Sequence, residues 1–118
     1  MTKPNYDLEE RTFLFAKRVR LFTTKLPRSV SNMEDGKQVI RSSGSIGANY
    51  IEANEALSKK DFLFRLKICR KEAKESAYFL RILKDVNEIH HENEAENLMN
   101  EAIELKKIFS SIINKSSL

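Results

Sequence analysis

The sequence predicts an all-α protein folded as an antiparallel, up-down-up-down four-helix bundle. Apolar residues recur at three- and four-residue spacing through most of the 118 residues, which is the period of amphipathic helices. The chain contains only 3 Gly and 2 Pro, too few for the many turns of a β-rich fold. Short connections make consecutive helices antiparallel neighbours. We therefore expect one domain over residues 1–118, with helices at about 7–26, 31–56, 58–89 and 93–115.

The first helix is predicted to start at Asp7 and to stop before Pro27. Acidic residues in its first turn favour the helix dipole, and Pro27 disfavours helical geometry at Leu26. The apolar positions expected to pack are Phe13, Ala16, Val19, Leu21 and Phe22.

The second helix is unusual because its centre is rich in small residues. It is predicted to start near Ser31, since Ser31-x-x-Glu34 has the form of a capping box. Gly costs about 0.8–1 kcal/mol against Ala in a helix, so this segment needs tertiary packing. The small residues predict that another helix approaches closely here. A phosphate loop at Gly44-Ser-Ile-Gly47 is disfavoured, because no strand precedes it and the Gly-Lys-Ser/Thr ending is missing.

The third helix is expected to begin after an N-cap at Ser58 and to run to about Ile89. Its core stripe is Phe62, Leu66, Cys69, Ala73, Ser76, Leu80 and Leu83. A second apolar stripe on the far side comprises Phe64, Ile68, Phe79, Ile82, Val86 and Ile89. A bundle helix needs one apolar stripe, so the second indicates contact with another copy of the chain. The alternative is a central helix with neighbours all round.

The fourth helix is predicted to be capped by Asn93, with acidic residues in its first half and lysines in its second. Just before it, Glu88-x-x-His91 has the spacing of a di-metal carboxylate helix. No second copy of that motif exists in the sequence, so a metal site is disfavoured, and His90 and His91 are expected to cap the third helix.

Charge and cysteine content set broad limits on function. Lys and Arg total 21 against 17 acidic residues, and the net charge of +4 permits an anionic partner without requiring one. The single cysteine, Cys69, favours a reducing compartment. No apolar run has the length of a secretory signal or a membrane span. We expect a cytoplasmic protein without a membrane anchor.

The third helix carries the best candidate for a binding surface. Its cations at seven-residue spacing form one line and two more flank that line: Lys60, Lys67, Arg70, Lys71, Lys74 and Arg81. Such a line can neutralise successive phosphates of a nucleic acid. The alternative is an ordinary solvated face, because Glu72 and Glu75 lie nearby in sequence.

Polar residues on the second helix form another candidate group. Arg41, Asn49 and Glu52 are expected to hydrogen-bond across to Glu72 or Glu75 and to fix helix register. A ligand pocket is the less favoured alternative. No nucleophile, base and orienting acid can be assembled from the sequence, so we expect neither an enzyme nor a cofactor.

With these elements in place, the sequence resembles a known bacterial family of four-helix bundles. That family is encoded by intervening sequences of large-subunit ribosomal RNA genes. The resemblance rests on the pattern R-S-x-x-S-I-x-x-N-x-x-E, formed by Arg41, Ser42, Ser45, Ile46, Asn49 and Glu52. It continues through Ser58-Lys-Lys-Asp-Phe62 and Lys71-Glu-Ala-x-Glu75-Ser76, and it covers nearly the whole chain.

The family is similar to the accessory protein of diversity-generating retroelements, a five-fold ring with a basic exterior that partners a reverse transcriptase and nucleic acid. The resemblance therefore implies a homopentamer without established catalytic activity. We expect a basic accessory or scaffold protein that contacts RNA, DNA or a nucleic-acid enzyme. The alternative is a protein-interaction scaffold with no nucleic-acid role.

Overall fold

The computed structural model describes residues 8–88 and 92–116. These residues form four α-helices and, within the described ranges, no strand: α1 (Leu8–Thr24), α2 (Val30–Asn54), α3 (Lys59–Asn87) and α4 (Glu92–Ser116). The all-α prediction is confirmed. None of the described helices combines the length and the apolar character needed to cross a membrane.

The helix ends show which caps the sequence identified correctly. Ser58 caps α3 as predicted, and its hydroxyl accepts a hydrogen bond from the Asp61 backbone N–H at 3.0 Å. The predicted N-cap of α2 was wrong by two residues, because Ser29 is the cap and its hydroxyl accepts from the Asn32 N–H at 3.1 Å. Ser31 lies inside the helix. The backbone of Ser29 is extended, which is the conformation an N-cap requires.

The ends of α3 and α4 also differ from expectation. α3 ends at Asn87, and its C-cap Glu88 is left-handed with φ 46°, a conformation that terminates a helix. The predicted end at Ile89 and the proposed caps His90 and His91 lie outside the described residues. α4 begins at Glu92, so Asn93 is inside the helix rather than at its cap.

The helices pack around one core in a way that is consistent with a bundle. α1 and α3 each pack against both α2 and α4. Across α2 and α3, Asn32 pairs with Asn87 and Ser42 with Ser76, so residue numbers rise along one helix as they fall along the other. Every predicted core residue of α3 from Leu66 to Leu83 is fully buried. Burying such side chains supplies most of the stability of helices like these.

The packed face of α1 was predicted less well. Val19 and Phe22 are buried as expected, but Phe13 and Leu21 are 59% and 52% exposed. Phe15, which the prediction omitted, is buried instead. Apolar residues occupy four consecutive positions from 13 to 16, so spacing alone does not select the packed face.

The small residues of α2 allow close approach on two sides, as predicted. A Cβ placed on Gly47 would lie 2.9 Å from Thr12 Oγ1 of α1. On the other side, the Ser42 and Ser76 hydroxyls form a buried hydrogen bond of 2.8 Å between α2 and α3. These contacts leave no room for larger side chains, so the segment is a packing seam and not a phosphate loop.

Candidate nucleic-acid interface

Four of the six predicted cations line a single groove between α3 and α4. The groove has a volume of about 500 Å³, and α4 contributes two further lining residues. Its lining residues are Lys67, Arg70, Lys71, Lys74, Lys106 and Ser110. Lys60 and Arg81 do not line it, but both are exposed on α3, seven residues before Lys67 and seven after Lys74.

Helix geometry explains why these residues share a face. A seven-residue step is nearly two turns, so the line drifts by only about 20° per step. Each step advances about 10.5 Å along the axis. Arg70 lies on the side of the line that faces α4, where Lys106 meets it across the groove. The result is a cationic surface shared by two helices.

Lys106 is a residue that the sequence reasoning missed as part of the site. From the sequence, its charge is explained by the favourable interaction of a lysine with the helix dipole at the end of α4. Its place beside Lys67 and Arg70 depends on which face of α4 packs on α3. Since Leu105 and Phe109 are buried, that face is fixed by residues next to Lys106. The sequence shows that Lys106 adjoins the packed face of α4, but placing it in the groove also requires knowing that α4 packs on α3.

The groove cations lack carboxylate partners among the described residues. Within 4.0 Å, none of the six predicted cations has one, although other basic residues do. Arg11 pairs with Glu101 at 2.7 Å, and Lys84 with Glu96 at 3.7 Å. The ion pair with Glu101 raises the pKa of Arg11. The six cations of α3 therefore carry positive charge that no carboxylate of the described residues offsets within 4.0 Å.

Glu72 and Glu75 face α2 and not the basic line. Arg41 Nη2 donates to Glu72 Oε1 at 3.3 Å and to Glu75 Oε2 at 2.5 Å. The hydrogen bond with Glu72 raises the pKa of Arg41. Glu72 is buried, so the pairing also satisfies a carboxylate removed from water. The two acids that supported the solvated-face alternative are thus engaged elsewhere.

The other two members of the predicted polar network behave differently. Asn49 donates to the Ser45 carbonyl and hydroxyl, and its Oδ1 accepts from Arg65 Nη1 at 3.0 Å. It therefore links α2 to α3 through Arg65 and not through a glutamate. The Glu52 side chain is exposed and, among the described residues, makes no hydrogen bond or ion pair. The predicted contact across to α3 is correct for Arg41 and wrong for Glu52.

Other candidate chemistries find little support in the described residues. Among these residues, no three His, Cys, Asp or Glu side chains are grouped to hold a metal ion, and His91 of the proposed motif lies outside them. Cys69 is fully buried, and its thiol donates to the Ile46 carbonyl at 3.4 Å. Burial raises the pKa of Cys69 to about 12, so the thiol stays protonated and unreactive.

Comparison with known proteins agrees with the sequence resemblance. A solved structure of a protein of unknown function, from the S23 ribosomal protein family of Bacteroides thetaiotaomicron, is 33% identical with a TM-score of 0.77. The match covers 89% of this chain and 96% of that one. No curated protein matches. The model of the 23S rRNA-intervening sequence protein family matches residues 5–111, and the chain belongs to that family.

Proposed function

We propose that this protein is a non-enzymatic, cytoplasmic accessory or scaffold protein that binds nucleic acid through the groove between α3 and α4. The observation that carries the proposal is the cluster of cations without carboxylate partners among the described residues. Five basic side chains around one groove present the charge that a phosphate backbone requires. Such contacts provide affinity without base sequence preference. A reverse transcriptase or another nucleic-acid enzyme is the protein partner that the family resemblance suggests.

We further propose an antiparallel up-down-up-down bundle that assembles into a homopentamer. The order of contacts between α2 and α3 supports the first part. For the second, the apolar stripe on the far side of α3 offers a surface, since Phe64 and Val86 are each 57% exposed and Ile82 is half-buried. A ring would repeat the basic groove on each subunit and multiply weak contacts. A monomeric mass by multi-angle light scattering would contradict this part.

A protein-interaction scaffold is the second candidate, and the outer face of α1 favours it. Phe13 and Leu21 are exposed there beside Lys17, around a depression of about 410 Å³. An exposed apolar patch of this kind is typical of a surface that binds another protein. Binding through it would depend little on salt.

The salt dependence of binding separates the two candidates. We expect labelled oligonucleotides to bind with an affinity that falls steeply as salt rises, with a slope of about −0.7 per single-strand phosphate contact. Lys67→Glu with Lys74→Glu should abolish binding. The matched control is Lys17→Glu with Lys25→Glu, which changes the net charge equally on α1 and at the residue that follows its last turn; α1 does not pack on α3. Equal loss in both double variants would show only a general charge effect, and salt-independent binding would reject the groove.

A further inference from the structure

The outer face of α3 carries two exposed aromatic rings within its line of cations. Phe64 and Tyr78 are 57% and 59% exposed. Steps of four and three residues alternate along the helix, which keeps the set on one face. In order, the members of this mixed stripe are Lys60, Phe64, Lys67, Lys71, Lys74, Tyr78 and Arg81, and all seven are exposed. Asp85 follows at the next step and ends the stripe.

Neighbouring side chains hold both rings in place from the inner side. The Arg65 guanidinium lies 6.0 Å from the centroid of the Phe64 ring, and Arg65 is itself anchored by Asn49 of α2. The Tyr78 ring meets Phe79 edge to face at 5.3 Å, and Phe79 packs against the core. Each ring thus has one contact that favours its position before a partner arrives, and restricting a ring in this way lowers the entropy cost of binding.

We infer, building on the proposed function, that the partner is single-stranded nucleic acid whose unpaired bases stack on Phe64 and Tyr78. Cations that follow a backbone, interleaved with aromatic rings that receive bases, are the two components of single-strand recognition. A duplex uses only the cations, because its base faces are already stacked. The rings are 14 residues apart, about 21 Å along the helix axis, so one strand reaches both only by following the stripe.

Charge argues against a second copy of this same stripe as the occupant. An isologous contact between two such stripes would bring five cations against five, and like charges at an interface are unfavourable. The proposed pentamer uses heterologous contacts, in which the stripe does not meet its own copy. Phe64 also belongs to the apolar stripe assigned to self-association, so the two roles must be separated by experiment.

The test uses three labelled probes of equal length: a uridine RNA and a thymidine DNA of about 16 nucleotides, and a duplex of about 16 base pairs. We expect both single strands to bind more tightly than the duplex. Phe64→Ala and Tyr78→Ala should each weaken single-strand binding by about 5- to 150-fold, the equivalent of about 1–3 kcal/mol per stacked base, and leave duplex binding unchanged. Tyr78→Phe should retain affinity, because it keeps the ring.

Two controls sharpen the result. Phe13→Ala removes an equally exposed phenyl ring, 59% against 57%, from α1, and should have no effect. The chain has no Trp, so Phe64→Trp introduces a unique reporter whose fluorescence should be quenched by the single strands and not by the duplex.

Each failure has its own signature. One outcome is that single strands and duplex bind equally, that the alanine variants bind as tightly as the unmodified protein, and that Lys67→Glu with Lys74→Glu abolishes binding. That outcome would overturn the stacking role and leave the proposed function standing. Absence of binding to all three probes would overturn the proposed function itself. A change in oligomeric mass on Phe64→Ala would assign that ring to self-contact and overturn its stacking role.

Discussion

Substituting Ala for Gly at two positions of α2 would measure how closely α1 approaches it. In a helix, Gly→Ala should add about 0.8–1 kcal/mol of stability through backbone propensity alone. At Gly36, a Cβ would meet Thr23 Cγ2 at 3.9 Å, which is an ordinary contact. Gly36→Ala should therefore show the full gain.

At Gly47 the same substitution meets a side chain that cannot easily move. The new Cβ would lie 2.9 Å from Thr12 Oγ1 and 3.3 Å from Thr12 Cβ. Thr12 is 1% exposed, and its hydroxyl donates to the Leu8 carbonyl at 2.7 Å. Overpacking of this kind costs about 1–3 kcal/mol. Gly47→Ala should thus be less stable than Gly36→Ala by about 1–3 kcal/mol, despite the same intrinsic propensity gain.

Urea unfolding followed by far-ultraviolet circular dichroism would test this difference. Both variants should be compared at one protein concentration, since association adds to apparent stability. Adding Thr12→Ala to Gly47→Ala should recover part of the loss, because it removes the atom nearest the new Cβ. Equal stabilisation by Gly36→Ala and Gly47→Ala would refute the close approach of α1 and α2 at this position.

Two further predictions concern buried polar groups. Arg41→Met should destabilise the fold by about 1–3 kcal/mol, since it leaves the buried Glu72 carboxylate without its partner. Adding Glu72→Gln should reduce this loss of stability, as measured by urea unfolding. If the effects of the two substitutions were fully additive, Arg41 and Glu72 would not be coupled. The pKa of Cys69 is about 12 in the folded protein, above the value of about 8.5 for an unfolded thiol. Its contribution to the free energy of unfolding is therefore fully present below about pH 8.5 and is lost as the pH rises through the folded pKa. A disulfide reagent should accordingly label Cys69 only in urea, and rapid labelling of the native protein would place the thiol at the surface.

The sequence specified α3 better than α1 for a definite physical reason. In α3 the core residues from Leu66 to Leu83 recur without a gap at steps of three and four residues, whereas the second apolar stripe is interrupted between Ile68 and Phe79, so the core face could be identified. In α1, four consecutive apolar residues allow more than one face to pack, and tertiary contacts determine that Phe15 is buried and Phe13 is not. The cap of α2 was missed because Ser29 and Ser31 both suit the role locally. The Asn32 side chain donates to the Pro27 carbonyl at 2.8 Å, which ties the connection to the first turn of the helix.

The candidate site was predictable where it depends on one helix and not where it depends on two. The spacing from Lys60 to Arg81 follows from helix geometry and needs no tertiary information. Lys106 joins Lys67 only because α4 packs beside α3, and the direction of Glu72 toward Arg41 likewise depends on where α2 lies. These are contacts between residues far apart in sequence, which local patterns do not determine.

Most ion pairs of the described residues lie between packed helices, whereas the cations proposed to bind nucleic acid are outside these pairs. Carboxylates meet arginines where α1 borders α4 and where α2 borders α3, while the net charge of +4 leaves an excess of cations for the outer face of α3. The small residues of α2 that pack against other helices are also separate from the exposed residues of α3. Substitutions at Gly47 should change stability without changing nucleic-acid affinity, whereas substitutions at Lys67 or Tyr78 should do the reverse. That independence follows from the geometry because Gly47 lies against Thr12 of α1, whereas the side chains of Lys67 and Tyr78 are exposed on α3, a helix that does not pack on α1.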